Sequence, residues 1–247
     1  MKLLFSIIII STLSSCELFD SKENNDNQVE KKEKIYNGIR KNYHKGKLAS
    51  TVTYKDSLKN GPAINYYPNG SINMEFNYKD NKKHGEYKWY YENGKIYIEG
   101  NYSNGKKHGI FKTYRDNGKL KAEMPWNKGM PCVGLKEYFE SGNLKPVPKL
   151  IIKRNNTIKL DNMYSLDVKL SDNSNASFYE GSIDKEGCFN DYYPKINIRK
   201  NRGEKSFYVG PGQLIMRTLT IIAKIKTRDK NYHILKKNIN ISAENRP

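Results

Sequence analysis

Apolar and polar residues alternate along the first half of the chain in a pattern that returns every 24 residues. A glycine marks each period, and an aliphatic residue follows two positions later. The glycines are Gly46, Gly70, Gly94, Gly118 and Gly142, and the aliphatic residues are Leu48, Ile72, Ile96, Leu120 and Leu144. Period-two alternation rich in Tyr, Ile and Trp predicts β-strands. A repeat of this length predicts units that bury their apolar faces only beside their neighbours.

Two kinds of turn divide each repeat into two short strands. Asn-Gly between strand-like runs is the strongest short-range hairpin signal, and we expect two-residue turns with both residues at positive φ. These pairs are Asn69–Gly70, Asn93–Gly94 and Asn117–Gly118. The second turn recurs as KDNKK, SNGKK and NKGMP. The pattern therefore predicts an elongated antiparallel sheet of successive β-hairpins over residues 37–146.

Two-residue turns would fix which residues face each other across the hairpins. In this register Lys88 lies opposite Glu99, and Lys112 lies opposite Glu123. Opposite charges across a ladder are mildly favourable, which supports the register. We expect an apolar core face with Tyr87, Trp89, Tyr91, Ile96 and Ile98, and a polar face with Lys88, Tyr90, Tyr97 and Glu99.

The polar face carries one tyrosine per repeat, four residues before successive glycines. We name this set the tyrosine column: Tyr66, Tyr90, Tyr114 and Tyr138. Together with Lys88 and Lys112, the column suggests an aromatic and basic ribbon that binds an extended acidic polymer or a partner protein. The alternative is that these tyrosines shield the backbone and pack on Lys and Glu stems, since tyrosine favours strands anyway. Both interpretations stay open at this point.

Four segments resemble the MORN repeat in its bacterial variant form: GPAINYYPNGSI, GEYKWYYENGKI, GIFKTYRDNGKL and GLKEYFESGNL. The resemblance implies a single twisted antiparallel sheet of hairpins. Bacterial members of this family are often labelled antitoxins of the YwqK-like type. The resemblance therefore also implies an alternative function, the neutralisation of a toxin partner.

The 24-residue period stops near residue 147, and a second domain is expected over residues 147–247. Seven strand-like runs follow: 150–153, 164–170, 176–183, 195–198, 206–209, 214–226 and 232–241. Seven short strands in about 100 residues predict an immunoglobulin-like β-sandwich. The expected fold class is therefore all-β in both domains.

The N-terminus has the anatomy of a secretory signal, with Lys2 before a short apolar stretch. The segment LSSC, ending at Cys16, resembles a bacterial lipobox. This resemblance implies removal of residues 1–15, lipidation of Cys16 and anchoring in the envelope membrane. The residue after the cysteine is Glu17 and not the Asp that favours retention in the inner membrane, so we expect sorting to the outer membrane. Residues 16–36 form a polar stretch that we expect to be a disordered tether.

The chain has 44 Lys and Arg residues against 26 Asp and Glu residues, a net charge of +18. Such a charge often indicates nucleic-acid binding, but export argues against a nucleic-acid partner. An oxidising compartment would permit a disulfide between Cys132 and Cys188. We find no catalytic, cofactor or metal-binding motif, and His84 and His108 would be too far apart to share one ion.

We therefore expect an outer-membrane lipoprotein that is not an enzyme and that binds a protein partner through its repeat sheet. Two alternatives remain open. The first is an antitoxin-like protein, and the second is a binder of anionic lipid or glycan.

Overall fold

The repeats form one long antiparallel sheet in which each strand pairs with the next along the chain. A computed structural model describes residues 35–246, so Cys16, the predicted signal peptide and the predicted tether up to residue 34 lie outside the described residues. The first eight strands are β1 (Gly38–His44), β2 (Lys47–Lys55), β3 (Leu58–Tyr66), β4 (Ile72–Lys79), β5 (Lys82–Tyr90), β6 (Ile96–Ser103), β7 (Lys106–Tyr114) and β8 (Leu120–Asn127). Two short strands, β9 (Met130–Pro131) and β10 (Lys136–Glu137), both pair with β8.

Two different turns alternate along the long sheet. Two-residue turns such as Asp80–Asn81 have both residues at positive φ, as type I′ turns require. The Asn-Gly turns are different, so the prediction of two-residue turns there was wrong. In the turn Tyr91–Gly94, Gly94 N–H donates to Tyr91 O at 2.9 Å, and Tyr91 N–H donates to Lys95 O. Only the glycine has positive φ, which is the pattern of a type I turn followed by a glycine bulge.

A β-bulge next to each Asn-Gly turn restores the predicted register along the rest of the hairpin. Tyr90 pairs with Ile96, whereas Trp89 pairs with Ile98, so Tyr97 is the extra residue of its strand. Beyond the bulge, the predicted pairs Lys88–Glu99 and Lys112–Glu123 are confirmed.

The bulge also corrects the predicted faces close to the turn. The Tyr97 ring lies 4.9 Å from the Trp89 ring and 4.8 Å from the Tyr91 ring. Tyr97 is therefore on the apolar face, where we had expected a polar-face residue. Ile96 pairs with Tyr90 and shares the face of the tyrosine column. A bulge puts two consecutive side chains on one side of a strand, which simple alternation does not anticipate.

Seven strands after the repeats confirm the predicted sandwich. They are β11 (Leu150–Thr157), β12 (Met163–Leu170), β13 (Ser177–Glu180), β14 (Asn197–Arg199), β15 (Arg202–Tyr208), β16 (Leu214–Lys226) and β17 (Tyr232–Glu244). One sheet has the order β11-β12-β15-β14 and the other β13-β16-β17. With the strands lettered A to G, these orders are ABED and CFG, the arrangement of immunoglobulin constant-type domains.

The sandwich closes over a core drawn from both of its sheets. Leu166 and Val168 come from one sheet, and Phe178, Ile221 and Ala223 come from the other, all fully buried. One helical turn, α1 (Ile158–Asp161), connects β11 to β12. Among residues 35–246, no helix has the length and apolar character needed to cross a membrane.

A disulfide and a short backbone ladder join the last repeat to the sandwich. Cys132 follows β9, and its sulfur is bonded to that of Cys188, which lies between β13 and β14. Beside the disulfide, Val133 N–H donates to Gly187 O at 2.9 Å. Both chain segments belong to one compact unit that begins at Ile35.

Candidate binding surfaces of the repeat sheet

Three members of the tyrosine column are tied into the sheet by glutamates of the preceding repeat. The hydroxyls of Tyr90, Tyr114 and Tyr138 donate to Glu75, Glu99 and Glu123 at 2.8, 2.7 and 2.9 Å, respectively. Burial and then the carboxylate bond raise the pKa of Tyr90 and of Tyr114 to about 12. For Tyr138 the hydrogen bond that its hydroxyl donates to Glu123 is the largest cause of its raised pKa. These hydroxyls are therefore occupied by internal partners.

Of the two predicted lysines of the polar face, Lys112 belongs to the same network. The Lys112 ammonium lies 3.5 Å from a Glu99 oxygen, and Lys136 repeats this contact with Glu123 at 3.6 Å. Lys88 instead lies 3.3 Å from Glu86 on its own strand. These pairs are partly exposed, and each contributes about 0–1 kcal/mol to stability.

Tyr66, the first member of the column, has different surroundings. A glutamate precedes each of the other three tyrosines, Tyr90, Tyr114 and Tyr138, by fifteen residues. The corresponding residue before Tyr66 is Thr51. Within residues 35–246, no hydrogen bond reaches the Tyr66 hydroxyl. Tyr66 is also one of the residues that line a groove beside the β1–β2 turn. Three tyrosines of the column are therefore bonded to glutamates, and the first, Tyr66, has no such partner within residues 35–246.

The opposite face of the sheet is built from packed aromatic rings. Phe76, Tyr87 and Phe111 are buried, with ring centroids 6.4 and 6.3 Å apart along the series. Tyr87 and Phe111 come from strands two apart, and they approach because Gly100 stands between them. A Cβ on Gly100 would lie 2.6 Å from the Phe111 ring.

Lysine ammonium groups lie over these rings at the 24-residue period. Lys83 Nζ is 4.4 Å from the Phe76 centroid, and Lys107 Nζ is 4.8 Å from Phe111 and 4.6 Å from Trp126. Burial lowers the pKa of both lysines. Cations over aromatic faces are attracted by the ring quadrupole. We call this surface the aromatic–lysine face, which comprises Phe76, Lys83, Tyr87, Tyr102, Lys107, Phe111 and Trp126.

The sequence reasoning missed the lysines of the aromatic–lysine face. They are the second residue of the repeated Lys-Lys pairs at 82–83 and 106–107. The first lysine of each pair is exposed and the second is half-buried. In a strand, consecutive side chains point to opposite faces, so the second lysine of each pair could have been assigned to the apolar face from the sequence.

The turn between β16 and β17 docks on the last repeat. Asp229 lies 2.7 Å from Lys121 Nζ and 3.1 Å from Lys145 Nζ, and these lysines lower the pKa of Asp229 against the opposing effect of burial. Glu137 is buried, and its Oε1 accepts hydrogen bonds from Thr227 and Asn231, each at 2.8 Å. The contact combines ion pairs with satisfied hydrogen bonds.

Apolar packing completes this contact. Tyr232 and Trp126 both pack against the buried cluster of Ala122, Met124 and Leu135. Trp126 also belongs to the aromatic cluster of the upstream repeats. The docked turn therefore covers the C-terminal end of the aromatic–lysine face.

The remaining polar residues give no sign of a metal centre. No group of three or more His, Cys, Asp or Glu side chains with metal-binding proximity occurs among residues 35–246. His108 Nδ1 lies 3.2 Å from Asn127 Oδ1, and both His84 and His108 are exposed.

Comparison with known families bears on the repeats alone. The MORN repeat variant matches residues 59–80, 83–104 and 107–128. No curated protein matches the chain. The matched segments coincide with the hairpins β3–β4, β5–β6 and β7–β8. These three hairpins therefore match the MORN repeat variant.

Proposed function

We propose that this protein is a non-catalytic bacterial envelope lipoprotein whose repeat sheet binds a protein partner. MORN repeats are generally binding or scaffold modules. The lipobox-like segment that ends at Cys16 supports attachment to a membrane, and Glu17 supports sorting to the outer membrane.

The docked β16–β17 turn is the observation that carries this proposal. It is a turn that presents the Asp229 carboxylate to Lys121 and Lys145 of the last repeat, with Tyr232 packed beside it. This contact supports a partner that presents a carboxylate beside an aromatic side chain to the same face of the sheet. Ion pairs orient such a contact, while the buried aromatic side chains provide most of the area.

The upstream repeats offer related chemistry, and no other segment of residues 35–246 docks on them. Lys83 and Lys107 lie over aromatic rings, and Tyr102 and Trp126 are only partly buried. We therefore assign the partner contact to the aromatic–lysine face and expect the partner to present acidic side chains. The tyrosine column is the second candidate surface, because its rings stay half-exposed although three of its hydroxyls are bonded.

Crosslinking in intact cells followed by pull-down tests the proposal. The variant Lys83→Met with Lys107→Met removes both charges but keeps the aliphatic stems that pack on the rings. The matched control is Lys82→Met with Lys106→Met, at the exposed neighbouring positions. Loss of one defined protein in the first variant and its retention in the control are expected.

Equal capture by both variants would overturn the assignment to the aromatic–lysine face. Changing Tyr66, Tyr90, Tyr114 and Tyr138 to Ser would then test the tyrosine column. A toxin encoded beside this gene, captured as the partner, would establish the antitoxin alternative. If neither set of variants changes the captured proteins, the repeat sheet is not the contact surface.

A further inference from the structure

A groove of about 460 Å³ lies at the N-terminal end of the repeat sheet. It is formed between the β1–β2 turn and the start of the β3–β4 turn. Its floor includes Leu48, Tyr66 and Tyr67, and its rim carries His44, Lys45 and Lys47. The volume falls within the range of small-ligand sites.

The groove exists because the repeat pattern changes at this end. Ala49 occupies the position that Asn73, Tyr97 and Lys121 occupy in later repeats, so a large side chain is replaced by a methyl group. The β1–β2 turn also has only two residues, Lys45 and Gly46, both at positive φ. The shorter turn leaves the side of Tyr66 and Tyr67 uncovered.

Polar groups of this repeat also lack the partners that the later repeats have. Tyr67 donates its hydroxyl to Tyr90 O at 2.6 Å, and Tyr91 donates to Tyr114 O at 2.9 Å. The equivalent side chain one repeat earlier is Tyr43, which is 62% exposed. Across the described part of the chain, no side chain takes this role at Tyr66 O. The Tyr66 carbonyl therefore lacks the side-chain cover that Tyr90 and Tyr114 have.

The charge around the groove is uniformly basic. None of the residues that line it carries a carboxylate. Lys47 Nζ donates to Pro68 O at 2.9 Å, which holds this ammonium at the rim. A ligand that fits must therefore carry a negative group beside a flat, partly apolar surface that can lie on tyrosine rings.

We propose that the groove binds an acidic sugar residue, with its carboxylate or phosphate on Lys45 and Lys47 and its ring face on Tyr67. The Tyr66 carbonyl accepts a hydrogen bond from a sugar hydroxyl. This site is separate from the aromatic–lysine face and does not depend on the proposed protein partner. An acyl chain fits less well, because the rim is charged and the groove is open to solvent.

Calorimetric titration of the full chain in detergent tests this assignment. The probes are tetragalacturonate, monomeric galacturonate and neutral tetragalactose. We expect tetragalacturonate to bind at least tenfold more tightly than tetragalactose. Binding of the monomer would assign the site to a single sugar acid, and binding of the tetramer alone would assign it to a glycan chain.

Matched variants connect the binding to the groove. Lys45→Gln with Lys47→Gln should weaken tetragalacturonate binding tenfold or more, while Lys79→Gln with Lys82→Gln, a basic pair at the opposite edge of the sheet, should not. Tyr67→Leu should weaken it severalfold, whereas Tyr91→Leu, the equivalent change one repeat later, should leave it unchanged. Circular dichroism checks that each variant is folded.

Three outcomes would overturn the proposal. One is equal binding of the charged and neutral tetramers, and another is an equal loss in both lysine variants, which would indicate a general polyanion effect. The third is the absence of sugar binding when phosphatidylglycerol vesicles bind through Lys45 and Lys47, which would make the groove a membrane contact.

Discussion

The Tyr114 hydroxyl donates a 2.7 Å hydrogen bond to Glu99, and the same carboxylate lies 3.5 Å from the Lys112 ammonium. Glu99 also stands opposite Lys88 on the neighbouring strand. The Glu99 carboxylate on β6 thus holds two side chains of β7, Lys112 and Tyr114. Because the arrangement recurs at the 24-residue period, the polar face is held together by a chain of such links.

Removal of one tyrosine hydroxyl from these Tyr–Glu–Lys contacts should destabilise the sheet. Tyr114→Phe leaves the ring in place but deprives Glu99 of its donor, and hydrogen bonds to charged groups are worth about 1.5–3 kcal/mol. Since the site is partly exposed, we expect a loss of about 1–2 kcal/mol in urea unfolding. Tyr66→Phe, at a position with no carboxylate partner, should change stability by less than about 0.5 kcal/mol. Equal losses would contradict the network.

Alkaline pH should destabilise the protein over a defined window. The pKa values of Tyr87, Tyr90 and Tyr114 are raised from 10.0 to about 12, chiefly by burial. The folded state holds these protons more tightly than the unfolded state, so their stabilising contribution is complete below pH 10 and is lost as pH rises toward about 12. Unfolding measured by circular dichroism alongside tyrosinate absorbance checks this.

A single substitution separates this effect from general alkaline damage. Tyr114→Phe should reduce the loss of stability across the window, while the exposed Tyr208→Phe should keep the wild-type profile. A wild-type profile in Tyr114→Phe would show that this tyrosine does not contribute.

Gly100→Ala should disturb the aromatic–lysine face. The added methyl group would lie 2.6–2.7 Å from the Phe111 ring, and overpacking of a filled core costs about 1–3 kcal/mol. The double variant with Phe111→Ala provides the control, because the clash disappears with the ring. In thermal unfolding, the cost of Gly100→Ala should fall close to zero in that background. An unchanged cost would trace the effect to the backbone instead.

The repeat fold could be predicted because its signals are local and periodic. The Lys88–Glu99 pair follows from alternation and a turn position. The bulge beside Asn93–Gly94 could not be foreseen, because Asn-Gly suits both two-residue turns and type I turns with a glycine bulge. This bulge places Tyr97 on the apolar face. The docked turn was also missed. Asp229 meets Lys145 across 84 residues, and no periodic pattern connects them.

Mild acid should weaken the region between the last repeat and the sandwich. His233 is buried, and its pKa is lowered from 6.5 by burial, partly opposed by the nearby Glu137 carboxylate. The folded state thus resists protonation, so this stabilising contribution is complete above pH 6.5 and falls as pH drops toward the folded pKa. His233→Gln should flatten stability between pH 7 and pH 5 in urea titrations. A slope equal to wild type would exclude His233.

The disulfide should stabilise the same junction. Cys132 and Cys188 are 56 residues apart, and closing a loop of this size contributes about 2–4 kcal/mol. The variant Cys132→Ser with Cys188→Ser should lose about that much in urea unfolding. Amide hydrogen exchange should rise at Val133 and Phe189, whose N–H groups bond across the junction, but not at Lys88 in the middle of the sheet. Uniformly faster exchange would instead mean that the disulfide acts on the unfolded chain alone.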